Sequence, residues 1–257
     1  MGLIHMRSTF RPDPAQDSKG FHKEVDISDG GLMFRVECGR SAAAYDILSR
    51  QRYFYTPALK GCDEASGVIF FEKIVDMEPI SADLDEIWFC RIGELLAIIH
   101  NELRLPKEIT IVRQKDKDVK GLVYIHGDFM PNNLCLSRGK LTVFDWGVRP
   151  WANEIYTMAS PAVDIAAFIA PWWVPRWWDF GFPADKLKAF FKVYLQTIGT
   201  DSIIAHRARI TLEEELEMHK GYHHKEILKR PRWKRQLHKI KMHCNIFRTK
   251  HGILHVR

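Results

Sequence analysis

Two acidic loops a short, fixed distance apart constrain this chain more than any other feature. Residues 123–147, VYIHGDFMPNNLCLSRGKLTVFDWG, carry His126-Gly127-Asp128 after one hydrophobic run and Asp145-Trp146-Gly147 after another, with Asn133 between them. Runs such as VYI and LTVF, rich in β-branched and aromatic residues, predict short strands. The segment therefore predicts a hairpin that delivers two carboxylates and one carboxamide from loops at strand ends.

These residue types suit phosphoryl transfer. One aspartate can orient and deprotonate an attacking hydroxyl, while an asparagine and a second aspartate hold Mg²⁺ on nucleotide phosphates. We assign Asp128 as the base and Asn133 and Asp145 as the metal ligands. His126 joins the catalytic set, and we interpret it as holding the two loops in register. The order H-x-D-x-x-x-x-N followed by D-x-G is the protein-kinase pattern.

The HGD and DW variants of these loops resemble the aminoglycoside phosphotransferase and choline kinase branch of the protein-kinase-like superfamily. The helix-like segment GELLAIIH at residues 93–100 and PAVDIA at residues 161–166 agree with that family. The resemblance covers roughly residues 30–170. It implies an α+β, two-lobed kinase-like fold, with a small antiparallel-sheet N-lobe at residues 1–77 and a mostly helical C-lobe at residues 78–257. In such proteins the aspartate of the second segment, here Asp164, starts a helix and braces the catalytic loop.

Periodicity and turn signals predict the individual elements. Strands are expected at residues 21–27, 32–37, 53–58 and 68–74. Helices are expected at residues 41–50, 84–103, 164–168, 183–197 and 212–224.

The nucleotide end is implied by the resemblance, which places a lysine on a strand and a paired glutamate on the following helix. The best-aligned cation is Arg35, in the predicted strand, and the only acid on the predicted helix at 41–50 is Asp46. Arginine also binds phosphate, often bidentately. Residues 72–76 would form the hinge, with Glu72 and Ile74 beside adenine. ATP and Mg²⁺ are the expected cofactors.

Composition limits the kinds of protein and the cellular compartments that this chain suits. No run of eighteen apolar residues is present, so no transmembrane segment is expected. The five cysteines are scattered without a C-x-x-C pair, which predicts neither a disulfide framework nor a zinc site. We expect a cytoplasmic protein, either free or peripheral to the inner face of a membrane.

Charge is concentrated at the C-terminus. Residues 220–257 hold twelve Lys or Arg and one acid, Glu226, a net charge of +11; the whole chain carries +6, which leaves −5 for residues 1–219. Such a tail favours an anionic partner, either a membrane surface or a glycolipid, and nucleic acid is the less favoured partner. Apolar residues interleave with these cations and suggest one cationic and one apolar helix face: Trp233, Leu237, Ile240 and Phe247. The alternative is a solvated helix that balances an acidic body.

Two functions follow. The first is an ATP-dependent O-phosphotransferase acting on a hydroxyl of a small molecule, sugar or glycolipid. The second is a catalytically weak kinase-like module that binds nucleotide or an anionic partner. A protein kinase is disfavoured because no A-P-E motif follows Asp145. Four tryptophans after Asp164 fit stacking on a sugar ring, covering of a quaternary ammonium, or core and inter-lobe packing: Trp172, Trp173, Trp177 and Trp178.

Overall fold

The computed structural model describes residues 21–24, 31–147, 154–174, 181–254 and 256. Within them the strands are β1 (Phe21–Glu24), β2 (Phe54–Tyr55), β3 (Leu59–Asp63), β4 (Val68–Phe71), β5 (Glu78–Pro79), β6 (Val123–Tyr124), β7 (Leu134–Ser137), β8 (Lys140–Val143) and β9 (Met158–Ala159). The helices are α1 (Gly31–Leu48), α2 (Glu86–Glu102), α3 (Ala162–Ile169), α4 (Ala184–Ile198), α5 (Ile203–Leu228) and α6 (Arg232–Gly252). The predicted α+β class, with small, mainly antiparallel sheets and a mostly helical remainder, is confirmed. The division at residue 77 stays a prediction.

The first sheet lies at the N-terminal end of the described chain. Its strands run in the order β1-β4-β3, with antiparallel pairing throughout. Helix α1 contributes Phe34, which packs against Ile69 of β4. The strands predicted at 21–27 and 68–74 are confirmed as β1 and β4, although residues 25–27 lie outside the described part. Strand β3 was not predicted.

The strand predicted at residues 32–37 is wrong. Those residues are the first turns of α1, which continues without a break through the helix predicted at 41–50. The buried face of α1 includes Val36, Arg40, Ala44 and Leu48. A four-residue spacing repeats along that face, and this is the period of a helix packed on one side.

The predicted hairpin is formed by β7 and β8, which pair in antiparallel register. They are the centre of a second sheet, in the order β2-β8-β7-β5. Strand β6 pairs instead with β9. The HGD loop therefore leaves the end of β6 and the DWG loop leaves the end of β8, as the sequence predicted.

Helices form the remainder of the described core. Helix α2 packs so closely on α4 that a Cβ atom at Gly93 would lie 2.3 Å from the carbonyl oxygen of Phe190. Helices α3 and α5 share one continuous apolar core with them. The helices predicted at 84–103, 164–168, 183–197 and 212–224 are confirmed, with α5 extending beyond its prediction at both ends. Among the described helices, none is long and apolar enough to cross a bilayer.

Candidate active site

The side chain of Asp164 anchors the backbone of the HGD loop. Its carboxylate is fully buried on α3. It accepts hydrogen bonds from the backbone N–H groups of His126, at 2.7 Å, and Gly127, at 3.0 Å. His100 of α2 lies 3.3 Å away and contacts Tyr194 through its other ring nitrogen. The loop backbone is thus held by one buried acid, as the resemblance implied.

His126 joins the two loops. Its Nδ1 accepts from the Asp128 N–H at 3.2 Å, and its Nε2 lies 3.1 Å from the carbonyl oxygen of Phe144, which precedes Asp145. Its ring also lies 4.5 Å from that of Trp146. Burial lowers the pKa of His126 to about 4, although the negative charges of Asp164 and Asp145 act to raise it. A neutral ring that donates from Nε2 fits the structural role interpreted for it.

Asp128 and Asn133 are held together directly. The amide nitrogen of Asn133 donates to Asp128 twice, to its carbonyl oxygen at 2.8 Å and to its Oδ2 at 3.0 Å. Both side chains are largely buried. The Asp128 carboxylate therefore has a fixed orientation, which a general base requires. The amide oxygen of Asn133 takes no part in these two hydrogen bonds.

Asp145 lies at the end of β8 with a left-handed backbone, φ 60°. The following Trp146 is buried and donates from its indole nitrogen to the Thr56 hydroxyl at 3.1 Å. This packing fixes the loop immediately beside Asp145. A conformation that L-residues rarely adopt, held by its neighbours, is common where a loop presents a functional group.

Magnesium suits this donor set. The carboxylate of Asp145 and the amide oxygen of Asn133 are hard oxygen ligands, and Mg²⁺ usually takes only one or two such groups from a protein. Among the described residues, no cluster of three or more His, Cys, Asp or Glu is placed to hold a metal ion. Asp145 and Asn133 would fit an ion that takes its remaining ligands from phosphate oxygens and water.

Arg40 is a site residue that the sequence motifs did not reveal. It is fully buried on α1, and its guanidinium donates to the carbonyl oxygen of Gly147 at 3.1 Å and to that of Tyr156. A Cβ atom at Gly127 would lie 2.7 Å from the same guanidinium. Burial lowers the pKa of Arg40 to about 10, while Asp164 and Glu37 act in the opposite direction. One cation thus touches both loops from the N-terminal helix.

The predicted nucleotide residues are not brought together. Arg35 is exposed on α1 and donates to the carbonyl oxygen of Gly31, one turn earlier, at 2.9 Å. Asp46 is also exposed and pairs with Arg50 at 2.5 Å. The strand on which the sequence analysis placed Arg35 does not exist, because these residues belong to helix α1. The role of Arg35 in binding phosphate stays a prediction. Glu72 and the buried Ile74 follow β4 in the segment predicted as the hinge.

The strand that precedes α1 is β1. It carries Lys23, paired in register with Ile69 of β4. On α1 itself the buried acid is Glu37, not Asp46. The strand predicted at 32–37 placed the start of this helix ten residues too late, at residue 41 instead of Gly31.

Helix α5 brings Tyr222 within electrostatic range of Asp128. Burial raises the pKa of Tyr222, and the negative charges of Glu226 and Asp128 add to the effect. The His223 ring lies 6.5 Å from that of Trp173. Trp173 is itself buried and donates to Thr249 at 2.8 Å, and Trp172 packs on Phe89 and Phe168. These two tryptophans are packing residues; Trp177 and Trp178 lie outside the described residues.

No protein family model and no curated protein matches this chain. Solved structures are similar in fold. Choline kinase LicA from Streptococcus pneumoniae has 16% identity and a TM-score of 0.48, over 89% of this chain and 85% of that chain. A choline/ethanolamine kinase family protein from Mesorhizobium loti has 13% identity and a TM-score of 0.43, over 81% and 82%. The gentamicin–APH(2″)-IIa complex has 14% identity and a TM-score of 0.43, over 83% and 80%.

Proposed function

We propose that this chain is an ATP-dependent O-phosphotransferase that transfers the γ-phosphoryl group to a hydroxyl of a small molecule, a sugar or a glycolipid headgroup. The observation that carries the proposal is the Asp128–Asn133 contact beside Asp145, with both loops held by buried residues. The two loops also meet directly, because the Phe144 N–H donates to the carbonyl oxygen of Asn133 at 3.1 Å.

The chemistry assigned to each residue is simple. The acceptor hydroxyl gives its proton to the Asp128 carboxylate while its oxygen forms a bond to the γ-phosphorus. The bond between that phosphorus and the bridging oxygen breaks, and ADP leaves. Asn133 keeps the Asp128 carboxylate in place, and His126 keeps the two loops together. Mg²⁺, held by Asn133 and Asp145, would neutralise charge on the phosphates.

The acceptor side favours a substrate without multiple positive charges. A polycationic acceptor needs a pocket of available acids. The acidic run on α5 is instead committed to internal ion pairs with lysine and arginine: Glu213, Glu214, Glu215 and Glu217. On α5, the phenol of Tyr222 lies close enough to Asp128 for the charge of that carboxylate to raise its pKa. A neutral hydroxyl compound fits these surroundings better than an aminoglycoside.

The test is Mg²⁺-dependent ATP turnover with a panel of sugars, amino alcohols and glycolipids. We expect turnover to rise with one acceptor class and Asp128→Asn to lower it by roughly 10²–10⁴-fold, the usual effect of losing a positioned base. Nucleotide affinity should stay near that of the wild type. Full activity of Asp128→Asn on a verified acceptor would show that the base is misassigned.

The nucleotide end has its own prediction. We expect Glu37→Gln to weaken ATP binding. The family pattern pairs a cation on a strand with an acid on the following helix. Glu37 is the buried acid on α1, and the preceding strand β1 carries Lys23. Arg35→Ala is the comparison, since Arg35 is exposed and bonded to its own helix. Isothermal calorimetry with a non-hydrolysable ATP analogue measures both. A larger loss with Arg35→Ala would return the phosphate contact to Arg35.

The alternative is a kinase-like module with weak turnover that binds nucleotide or an anionic partner. Nucleotide binding without turnover for any acceptor, unchanged by Asp128→Asn, would favour it.

A further inference from the structure

Helix α6 buries polar residues as well as the apolar Met242 and Ile246, and it leaves large apolar residues exposed. Four polar residues on it are at most 9% exposed: Lys234, His238, Asn245 and Thr249. Four large apolar residues on it are 47–72% exposed: Trp233, Leu237, Ile240 and Phe247. The buried polar groups are hydrogen-bonded where described; Asn245 donates to the Trp173 carbonyl at 3.2 Å. Packing on the C-terminal core therefore accounts for the inner face of α6 but not for the outer one.

The exposed apolar residues form a single stripe. Their spacing along the helix is four, three and seven residues, and the exposed Cys244 divides the last interval into four and three. That period keeps all five on one side of the helix. We call this set the α6 stripe: Trp233, Leu237, Ile240, Cys244 and Phe247. A long exposed apolar surface on a folded protein marks a site of interaction.

Cations border the α6 stripe on both sides. The helix contains seven Lys or Arg and no Asp or Glu. At 3.6 residues per turn, Arg248 and Lys241 fall on one flank and Arg232 and Lys239 on the other. In the described part of the chain, Lys250 pairs with Glu213 and Glu217, whereas Arg232, Lys239 and Arg248 form no ion pair. The acidic body thus neutralises only some of the cations of the helix.

We propose that α6 is a docking surface for an anionic lipid bilayer, with its axis in the plane of the interface and the α6 stripe facing the acyl chains. An apolar centre with an aromatic residue near each end and cations on both flanks is the arrangement of interfacial helices. Each flanking cation adds attraction to anionic headgroups. The surface lies outside the catalytic residues, so docking is independent of the proposed phosphotransferase activity.

Charge separates this partner from two others. A second copy seated on the same face would bring two sets of like charges together, because a two-fold interface pairs each patch with itself. A nucleic acid needs cations where its phosphates lie. Here Leu237 and Ile240 occupy the centre of the face. A bilayer satisfies both features at once, with apolar chains under the centre and headgroups along the flanks.

The experiment is co-sedimentation of the full chain with vesicles of phosphatidylglycerol and phosphatidylcholine, compared with pure phosphatidylcholine. We expect binding only to the anionic vesicles, weakening as salt is raised to about 0.5 M. Leu237→Ser with Ile240→Ser should lower partitioning by roughly tenfold or more. Arg232→Gln, Lys239→Gln and Arg248→Gln together should lower it on the order of 100-fold. All five positions are on the solvent side, so the fold should survive.

Two controls make the result specific. Ile210→Ser with Met218→Ser removes apolar residues of α5 that are 57% and 49% exposed, and should leave vesicle binding unchanged. Asp128→Asn should bind vesicles as the wild type does, which separates docking from catalysis. Absence of binding at low salt, equal binding to neutral vesicles, or undiminished binding by the α6 variants would overturn the proposal. So would a dimer dissolved by the α6 substitutions, or tighter binding to a DNA duplex than to vesicles.

Discussion

At the scale of single residues, the candidate site depends on buried groups that lie outside its two sequence motifs. Asp164 receives two backbone N–H donors from the HGD loop, and Arg40 donates to the backbone of the DWG loop. Backbone contacts of this kind fix loop geometry whatever side chains the loops carry. The position of the Asp128 side chain therefore depends on residues of α3 and α1, which lie outside both motifs.

Asp164→Asn tests this dependence. An asparagine can accept one of the two loop N–H groups through its oxygen, but its amide nitrogen would face the other and leave a buried donor unsatisfied. Such a donor costs about 1–3 kcal/mol. We expect a comparable loss in the free energy of unfolding, measured with urea, together with lower turnover. Asp46→Asn is the matched control, because its exposed pair with Arg50 should contribute under about 1 kcal/mol. Equal losses in the two variants would contradict the role of Asp164.

At the scale of elements, close helix packing positions the loops. Helices α2 and α4 meet at Gly93, where no Cβ atom fits against the backbone of α4. Helix α2 also carries His100, which lies against Asp164. The distance between α2 and α4 therefore bears on the support of the catalytic loop.

Gly93→Ala is expected to destabilise the protein. Alanine favours a helix over glycine by up to about 1 kcal/mol, but overpacking against a backbone costs about 1–3 kcal/mol. The second effect should prevail, because a carbonyl 2.3 Å from the new Cβ cannot move without shifting α4. Gly221→Ala on α5 is the control, since no atom lies within 4 Å of a Cβ there, and it should raise stability. Thermal denaturation compares the two; a Gly93→Ala variant more stable than the wild type would contradict the packing argument.

The loops were predictable and helix α1 was not, for a physical reason. His126, Asp128, Asn133 and Asp145 form a pattern that is local in sequence, so spacing alone predicts it. The residues 32–37 combine apolar residues in a short run that suits either a strand or a helix. Gly39 then resembles a helix breaker. Within α1 it faces the side chain of Ile109, whose Cδ1 would lie 2.2 Å from a Cβ at this position.

One signal could have revealed α1. Val36, Arg40, Ala44 and Leu48 recur every four residues across the boundary between the predicted strand and the predicted helix. That repeat indicates one helix with one buried face. It also places the polar Arg40 on the apolar side, where a buried charge requires partners. Those partners, the carbonyl oxygens of Gly147 and Tyr156, lie more than a hundred residues away, and sequence spacing cannot predict them.

At the scale of the whole molecule, charge is partitioned between an acidic body and a basic C-terminal segment. Internal pairs such as Arg113–Glu215 and Lys250–Glu213 connect helix α5 to its neighbours. The first of these is buried and the second is exposed, so they contribute differently to stability. Within this framework the buried His126 and the partly buried His223 both have a lowered pKa, which links stability to pH.

His223 gives the cleaner test of this linkage. Partial burial lowers the pKa of His223 from 6.5 to about 4. The positive charge of Arg230 adds to this shift, and the negative charge of Glu226 opposes it. Between those pH values the unfolded chain binds a proton that the folded chain does not, so stability is complete above about pH 6.5 and is lost as the pH falls. The loss is at most roughly 1.4 kcal/mol per pH unit for one group. Burial acts on His126 in the same direction.

His223→Phe isolates the contribution of the one ring. Phenylalanine keeps the contacts with Trp173 and Tyr222 but cannot bind a proton. We expect its free energy of unfolding, measured with urea in the presence of a chelator, to fall less steeply between pH 6.5 and 5 than that of the wild type. Above pH 7 the two slopes should coincide, because neither ring is then charged in either state. Parallel slopes across the whole range would show that His223 is protonated as readily in the folded protein as in the unfolded chain.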